Sequence, residues 1–323
     1  MELFKYKEPI KLMSRSRRFG ILSIIVVLLS LSLVIIKGFN YGIDFAGGTL
    51  IQVKYSGDAP LDKVRDRLNE EKKYKNASVT YFGSQDEIVI KTKSSSRAVG
   101  EDIGDEVRVI LKDTGSFEVR RVDMVGPKIG SELKEKGLTA MLLAIIGILI
   151  YVSFRFEWRF ALASVMALIH DVTIAMGAIV LFNIEVNLDI LAALLTILGY
   201  SLNDTIIVFD RIREGIRTIK EPDLGGIIDE SVTRTLSRTT LTSLTTFLVV
   251  LTLYMFGGEI IKGFSFTLLV GIIVGTYSSI FVASPILMWL GFSVKDFREK
   301  EAIKLKREKE REKMRAMYEQ GTI

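Results

Sequence analysis

Long runs of apolar residues dominate the chain, and their lengths predict membrane spans. The run from 19 to 36 contains no charged residue, and five further apolar stretches lie near 138–154, 160–182, 188–209, 239–256 and 264–292. A helix needs about 20 residues to cross a hydrocarbon core of roughly 30 Å. The pattern therefore predicts a multi-pass α-helical membrane protein with six transmembrane helices.

The one long polar segment between these runs, residues 38–137, has the alternating pattern of a small α+β domain. Ile51, Val53 and Tyr55 alternate with polar residues, as in a half-buried strand. The patterns predict strands at 49–55, 78–82, 87–91 and 117–125 and helices at 60–73 and about 97–112. This order is that of a ferredoxin-like domain. It contains no His or Cys cluster and no glycine-rich phosphate loop, so we expect a protein-contact module and not an enzyme.

The chain accordingly divides into four parts. We expect a cytoplasmic N-terminus and first span at 1–37, a periplasmic ferredoxin-like domain at 38–137, a five-helix bundle at 138–292 with a cytoplasmic loop near 211–238, and a charged tail at 293–323. Two amphipathic helices are also predicted, one at 128–136 before the second span and one at 224–236 along the inner membrane surface. The tail mixes basic and acidic residues, which predicts a solvated helix, although its basic excess would also suit anionic lipid or a ribosome.

The distribution of basic residues predicts the orientation of the spans. Lys and Arg are concentrated in the N-terminus, the turn 155–159, the connection 211–238 and the tail, whereas the turn 183–187 has none and the turn 257–263 has one. By the positive-inside rule, both termini face the cytoplasm. The net charge of +5 reflects this asymmetry, so no nucleic-acid partner is expected. No small-residue cleavage site follows the first span, which is therefore expected to be an anchor and not a signal peptide.

Ionisable residues inside the spans are the main candidates for function, because a charge at the bilayer centre costs about 2.5–3.5 kcal/mol on insertion scales. Asp204 lies in the fourth span and Arg238 leads into the fifth, at depths that permit a pair. Such a pair suggests proton coupling, in which Asp204 exchanges a proton and Arg238 stabilises its charged form. The alternatives are a hydrogen-bonding group between helices for Asp204 and a snorkelling residue at the inner leaflet for Arg238.

The third span carries a second polar pair, His170 and Asp171, and His170 is the only histidine. Adjacent residues on a helix point about 100° apart, so we expect that these two do not form one site. Asp171 shares a stripe with alanines, which suits a helix-contact group as well as a proton carrier. With Asn203, they complete the candidates for proton coupling. Cysteine is absent, which excludes thiolate metal sites, and no metal or cofactor is expected.

Small residues recur at every fourth position of the sixth span: Gly263, Thr267, Gly271, Gly275 and Ser279. Such a stripe allows another helix to approach closely. The partner helix is expected either in this chain or in a second subunit.

Several segments resemble the SecD/SecF family of protein-export membrane proteins, in the resistance-nodulation-division superfamily, and in particular its SecF members. The run from 42 to 49, which contains Gly42, Asp44, Gly47 and Gly48, is similar to the family signature GIDFxGGT. The runs 161–172, 199–214, 237–239 and 256–258 are similar to SecF. The signature residues are interpreted as structural, because two glycines permit a tight turn into the first strand.

The resemblance implies a subunit that works with SecD and the SecYEG translocon and uses the proton motive force to draw translocating polypeptide across the inner membrane. Asp204 and Arg238 match the family's intramembrane acidic and basic residues, to which proton coupling is ascribed. The chain begins at Met1 and has no SecD half, so SecD is expected to be a separate protein. The alternatives are a proton-coupled exporter of small molecules or lipids and a passive membrane assembly subunit. An intramembrane aspartyl protease is set aside, since no Gly-x-Gly-Asp motif occurs.

Overall fold

The computed structural model describes residues 8–75, 77–93, 103–221 and 223–319. Within these ranges, six helices are long and apolar enough to cross a membrane. They are Met13–Lys37, Pro127–Arg155, Trp158–Leu181, Leu188–Thr218, Leu224–Phe256 and Gly258–Trp289, here called the first to sixth spans. The prediction of six transmembrane helices is confirmed.

Two of the spans are composite. The first begins with a 3₁₀ turn, Met13–Arg15, and continues as an α-helix over Ser16–Lys37. The sixth is α-helical over Gly258–Ser278, forms a π-helical segment at Ser279–Ala283 and ends with Ser284–Trp289. The tail helix, Val294–Glu319, follows it.

The third span lies at the centre of the bundle. In its most apolar window 67% of the residues are buried, against at most 17% in the first, second and fifth spans. The sequence explains this position, because small residues such as Ala163, Ala167 and Gly177 let neighbouring helices approach. A Cβ atom at Gly177 would overlap Ser30 of the first span.

The small-residue stripe of the sixth span packs against the fourth span of the same chain. A Cβ at Gly271 would overlap the side chain of Ile197, and one at Gly275 would come within 3.0 Å of the Ser201 Cβ. Of the two expected partners, the structure therefore shows the internal one.

A four-stranded antiparallel sheet and two helices follow the first span. The strands are Gly48–Tyr55, Ser78–Phe82, Ser84–Thr92 and Phe117–Val125, and the helices are Leu61–Glu70 and Ile103–Ile110, with a 3₁₀ turn at Lys112–Thr114. The strands lie side by side in the order second, third, first, fourth, which is the ferredoxin-like arrangement. The predicted α+β fold is thus confirmed, although residues 97–102 of the predicted second helix lie outside the described residues.

The domain has its own apolar core on one face of the sheet. Inward-facing strand residues such as Ile51, Val53 and Ile88 pack against Leu68 and Val107 of the two helices, and all five are at most 1% exposed. The third strand begins three residues earlier than predicted, because Gly83 alone, at φ 77°, forms the turn that precedes it.

Backbone and side-chain contacts attach the domain to the spans. The two-residue strands Asn40–Tyr41 and Glu185–Val186 pair in parallel. The short helix Ile43–Ala46 carries Asp44, whose Oδ2 accepts a 3.0 Å hydrogen bond from the Leu188 backbone N–H at the start of the fourth span. Lys91 forms a 3.2 Å ion pair with Glu185.

The glycines of the signature lie at these junctions. Gly47 and Gly48 have φ of 78° and 151°, which favour glycine, and a Cβ at Gly48 would overlap the Thr92 carbonyl oxygen. A Cβ at Gly42 would come within 2.8 Å of the Glu185 carboxylate. Gly130 in the second span packs against the backbone of Phe45. These positions therefore permit close approach between the domain and the spans.

Two predicted amphipathic helices are not separate elements. Residues 128–136 belong to the second span, whose helix begins at Pro127, and only Gly126 separates it from the fourth strand. Residues 224–236 belong to the fifth span, where Ile227, Ile228 and Val232 are fully buried in the bundle. The expectation of a helix along the membrane surface at 224–236 is wrong, because its apolar face packs against protein.

Candidate intramembrane polar site

Asp171 of the third span has three hydrogen-bonding partners, more than any other carboxylate among the described residues of the bundle. Its Oδ2 accepts hydrogen bonds from Ser201 of the fourth span at 2.5 Å and from Ser278 of the sixth at 2.7 Å. Its Oδ1 lies 2.8 Å from Nδ1 of His170. The residue is 0% exposed. One carboxylate therefore joins three spans.

The expectation that His170 and Asp171 do not form one site is wrong. The Cα–Cβ directions of neighbours differ by about 100°, but the residues rise only about 1.5 Å along the axis, so side-chain rotation can bring the ends together. His170 is 7% exposed, and its ring stacks on Tyr277 with centroids 6.3 Å apart. Its Nε2 is buried and has no hydrogen-bond partner among the described residues.

Asp204 lies in a second, less satisfied position. Its Oδ2 accepts a 3.2 Å hydrogen bond from Ser243 of the fifth span, and the Ser243 hydroxyl in turn lies 2.8 Å from that of Thr276 in the sixth. Asp204 is 0% exposed, and its Oδ1 has no partner within the described parts of the chain. The fully buried group thus makes one long hydrogen bond.

Arg238 does not meet Asp204 in this structure. Ser243 faces the fourth span, and Arg238, five residues earlier, points about 140° away from it at 100° per residue. The buried residue one turn before Ser243 is Thr239, whereas Arg238 is exposed. Arg238 lines a cleft between the fourth and fifth spans that also contains Asp210. The number of residues along each helix places Asp204 and Arg238 at similar depths in the membrane. It does not determine which face of its helix each residue occupies.

Asn203 also lies apart from the buried groups, because it is exposed beside Asp204 on the fourth span. Asp210, at the end of this span away from the domain, forms a 3.2 Å ion pair with Arg155. Neither residue reaches the interior.

The two carboxylates belong to one polar region. Asp171 accepts a hydrogen bond from Ser278 of the sixth span, and Asp204 is linked through the Ser243 hydroxyl to Thr276, two residues before Ser278. Ser201, which donates to Asp171, lies three residues before Asp204 on the fourth span, close to one helical turn. We call the following residues the carboxyl cluster: His170, Asp171, Ser201, Asp204, Ser243, Thr276 and Ser278.

Sequence reasoning missed the hydroxyl residues of this cluster. Ser201 and Ser278 lie near the small residues at which the fourth and sixth spans pack closely together. A serine beside such a small-residue contact was the sequence signal that could have indicated a hydrogen bond to a buried carboxylate. The π-helical segment Ser279–Ala283 begins directly after Ser278. Single π turns inside α-helices occur frequently at functional sites.

The Tyr277 side chain extends the region to the first span. Its hydroxyl donates to the Phe19 carbonyl at 3.1 Å and lies 3.0 Å from the hydroxyl of Ser23. The ring covers His170 from that side. Each of the first, third, fourth, fifth and sixth spans therefore contributes to a buried polar interior.

These features define a class of protein: a polytopic membrane protein with a ferredoxin-like domain between its first two spans and buried carboxyl groups inside the bundle. Comparison with known families identifies the branch. Residues 106–293 match the model for the C-terminal part of the protein export membrane proteins SecD/SecF, and residues 32–59 match the SecD/SecF GG motif. The chain belongs to the SecD/SecF family.

Individual relatives agree with this assignment. The chain is 51% identical to the protein translocase subunit SecF of Helicobacter pylori over the full length of both. It is 40% identical to SecF of Escherichia coli O157:H7, covering 84% of this chain and 85% of the relative. The crystal structure of SecDF, a translocon-associated membrane protein from Thermus thermophilus, aligns with a TM-score of 0.77 at 35% identity and covers 90% of this chain. The chain spans 40% of that longer protein.

Proposed function

We propose that the chain is a SecF-type subunit of the protein translocase in which the carboxyl cluster couples proton movement to the export of polypeptides. The full-length relatives named protein translocase subunit SecF support the subunit assignment. The subunit binds SecD and acts on the SecYEG translocon and the translocating polypeptide, and it catalyses no covalent chemistry. The solved relative named SecDF supports SecD as the partner.

The observation that carries the proton-coupling proposal is the state of Asp204. It is fully buried, with one hydrogen bond at 3.2 Å and one oxygen without a partner in the described chain. A charged carboxylate so poorly solvated is costly, whereas the neutral acid is tolerated. Gain or loss of a proton therefore changes which neighbours of Asp204 are favoured. Moving one charge through 100 mV supplies about 2.3 kcal/mol, enough to shift the balance between two arrangements of packed helices.

Arg238 has a defined part in this proposal. When Asp204 is charged, it attracts the nearest cation that can reach it, and Arg238 stands on the helix that already contacts Asp204 through Ser243. We assign the Asp204–Arg238 contact to that charged arrangement, which requires the fifth span to rotate or shift. Asp171, with three partners, holds the third, fourth and sixth spans together while the fifth span moves.

The proposed orientation places both termini in the cytoplasm and the ferredoxin-like domain on the outer side of the inner membrane. Basic residues at the two termini and in the connection between the fourth and fifth spans support this orientation. The carboxyl cluster then lies between the two aqueous phases. Labelling of single cysteines introduced into the domain and the tail of intact cells tests this placement.

The coupling test compares Asp204→Asn and Arg238→Met with Asp189→Asn, which makes the same chemical change at an exposed position of the same helix. Export into membrane vesicles is measured with and without a proton gradient. We expect Asp204→Asn and Arg238→Met each to accumulate, bind SecD and lose the gradient-dependent part of export, while Asp189→Asn keeps it. Wild-type export by Asp204→Asn would refute coupling and leave the passive assembly subunit. Normal polypeptide export with altered lipid or small-molecule export would favour the exporter alternative.

A further inference from the structure

A cleft of about 210 Å³ lies at the end of the bundle away from the ferredoxin-like domain. Three elements enclose it: the turn between the second and third spans, the last turns of the fourth span and the beginning of the tail helix. Arg298 of the tail helix donates to the carbonyls of Ile216 and Ile219 at 2.7 and 2.6 Å, which satisfies the end of the fourth span and fixes the tail helix against it. The cleft is therefore built by fixed backbone elements.

The cleft is strongly basic. Five basic and two acidic side chains line it: Arg155, Arg213, Arg217, Lys300 and Lys304 against Glu157 and Glu301. Arg217 is neutralised by Glu301, with Nε to Oε2 at 2.8 Å, and Arg155 by Asp210 outside the cleft. Within the described residues, Arg213, Lys300 and Lys304 form no ion pair. Positive charge therefore remains available to an anion.

Aromatic rings form the floor of the cleft and orient the guanidinium groups. Phe156, Phe160 and Phe297 line it and are each at most 8% exposed. The guanidinium carbons of Arg155 and Arg213 lie 5.5 and 5.9 Å from the centre of the Phe156 ring. Arg213 also donates to the Arg155 carbonyl at 3.1 Å. Stacked and hydrogen-bonded guanidinium groups lose little freedom on binding a phosphate.

The cleft adjoins the surface that faces lipid. Tyr151, Phe154 and Trp158, on both sides of Arg155, are 54%, 89% and 59% exposed. Large apolar side chains so exposed at the end of membrane spans are covered by acyl chains, and Trp and Tyr are enriched at that depth. A molecule that fills the cleft with a phosphate can thus also cover the adjacent apolar surface.

We propose that this cleft binds the phosphate headgroup of an anionic phospholipid, whose acyl chains lie along Phe154 and Trp158. Basic pockets between spans recognise such headgroups through charge and hydrogen bonding. The site goes beyond the proposed translocase function and does not depend on the carboxyl cluster.

The test uses the purified full chain in detergent and native mass spectrometry during titration with phosphatidylglycerol or phosphatidylcholine. The Lys300→Gln/Lys304→Gln variant is compared with Lys306→Gln/Lys309→Gln, which removes the same charge from the same helix outside the cleft. Removal of two basic contacts is expected to weaken phosphatidylglycerol binding about 5- to 30-fold. The Lys306→Gln/Lys309→Gln variant should bind phosphatidylglycerol with an affinity within about 2-fold of the wild type, because both cleft lysines remain in place. The affinity for phosphatidylcholine should also change less than about 2-fold in either double variant.

Three results would overturn the proposal. An equal loss of phosphatidylglycerol affinity in the two double variants would mean that anionic lipid binding depends only on the overall charge of the tail. Unchanged phosphatidylglycerol binding in Lys300→Gln/Lys304→Gln would place the lipid elsewhere. Displacement of phosphatidylglycerol by an equal concentration of inorganic phosphate would assign the cleft to a free anion.

Discussion

The contact between Gly177 and Ser30 provides a strict test of how the first span is held against the third. Both residues are buried, and a Cβ added to Gly177 would overlap the Cβ and Oγ of Ser30 and lie 2.8 Å from its Cα. Carbon atoms in contact prefer about 3.5–4.0 Å. Gly177→Ala therefore requires the backbones of two helices to separate by about 1 Å, since rotation of the Ser30 side chain does not remove its Cα.

The size of the effect follows from a comparison with Gly147, where an added Cβ meets nothing within 4 Å. Both substitutions gain the same helix propensity, about 1 kcal/mol in soluble helices. The difference in the free energy of unfolding between the two variants therefore isolates the cost of overpacking, typically about 1–3 kcal/mol. We expect Gly177→Ala to be about 1–3 kcal/mol less stable than Gly147→Ala.

The measurement is the free energy of unfolding in mixed detergent micelles, with the helical circular dichroism signal as the readout. Adding Ser30→Gly to Gly177→Ala should restore part of the loss, because it removes two of the three overlapping atoms. If Gly177→Ala were as stable as Gly147→Ala, the first span would not be packed against the third as described.

Three further outcomes are expected. A double-mutant cycle of Asp171→Asn with Ser278→Ala should give a coupling energy of about 0.5–2 kcal/mol in unfolding, as for hydrogen bonds between membrane helices. Burial opposes the charge of Glu106, but hydrogen bonds from Lys73 and Tyr74 and the charge of Lys73 outweigh it and hold the pKa of Glu106 below its usual 4.5. The pairing therefore stabilises the domain above about pH 4.5 and is lost as the pH falls through the lower folded-state pKa, so Glu106→Gln should flatten the acid dependence of hydrogen exchange in the strands. Asp44→Ala should speed exchange of the first-turn amides of the fourth span about 2- to 30-fold, the equivalent of a lost helix cap.

Each of these has a discriminating control. Zero coupling between Asp171 and Ser278 would contradict the short hydrogen bond. An unchanged acid profile in Glu106→Gln would remove this carboxylate from the stability of the domain, and Asp105→Asn, beside it on the same helix but exposed, is the matched variant. Asp44→Asn keeps an acceptor oxygen and should retain slow exchange.

The sequence was sufficient for most of the fold because its signals are strong and local. Runs of apolar residues marked the six spans, and strand-like runs of residues marked Ser78–Phe82 and Phe117–Val125 with their observed bounds. The predictions failed where one helix was interpreted as two. Charged residues before the second and fifth spans suggested separate amphipathic helices, but helix continuity depends on packing partners distant in sequence.

The candidate site was less predictable. Asp171 and Asp204 were identified, because charge inside a span is rare in any sequence. Their partners were not, since the face on which Ser243 or Arg238 lies depends on the rotation of the fifth span, and composition does not encode that rotation. The contact between His170 and Asp171 depends on side-chain torsions, which a helical-wheel argument leaves out.

The junction at Gly126 has a mechanical consequence. The helix that starts one residue later extends for 29 residues, or about 44 Å at 1.5 Å per residue. With a single residue between strand and helix there is little slack, so a tilt of about 5° around the far end would carry the last strand sideways by about 4 Å. Small changes in the tilt of this helix would thus displace the whole ferredoxin-like domain by several ångströms, a distance comparable to the spacing between neighbouring strands.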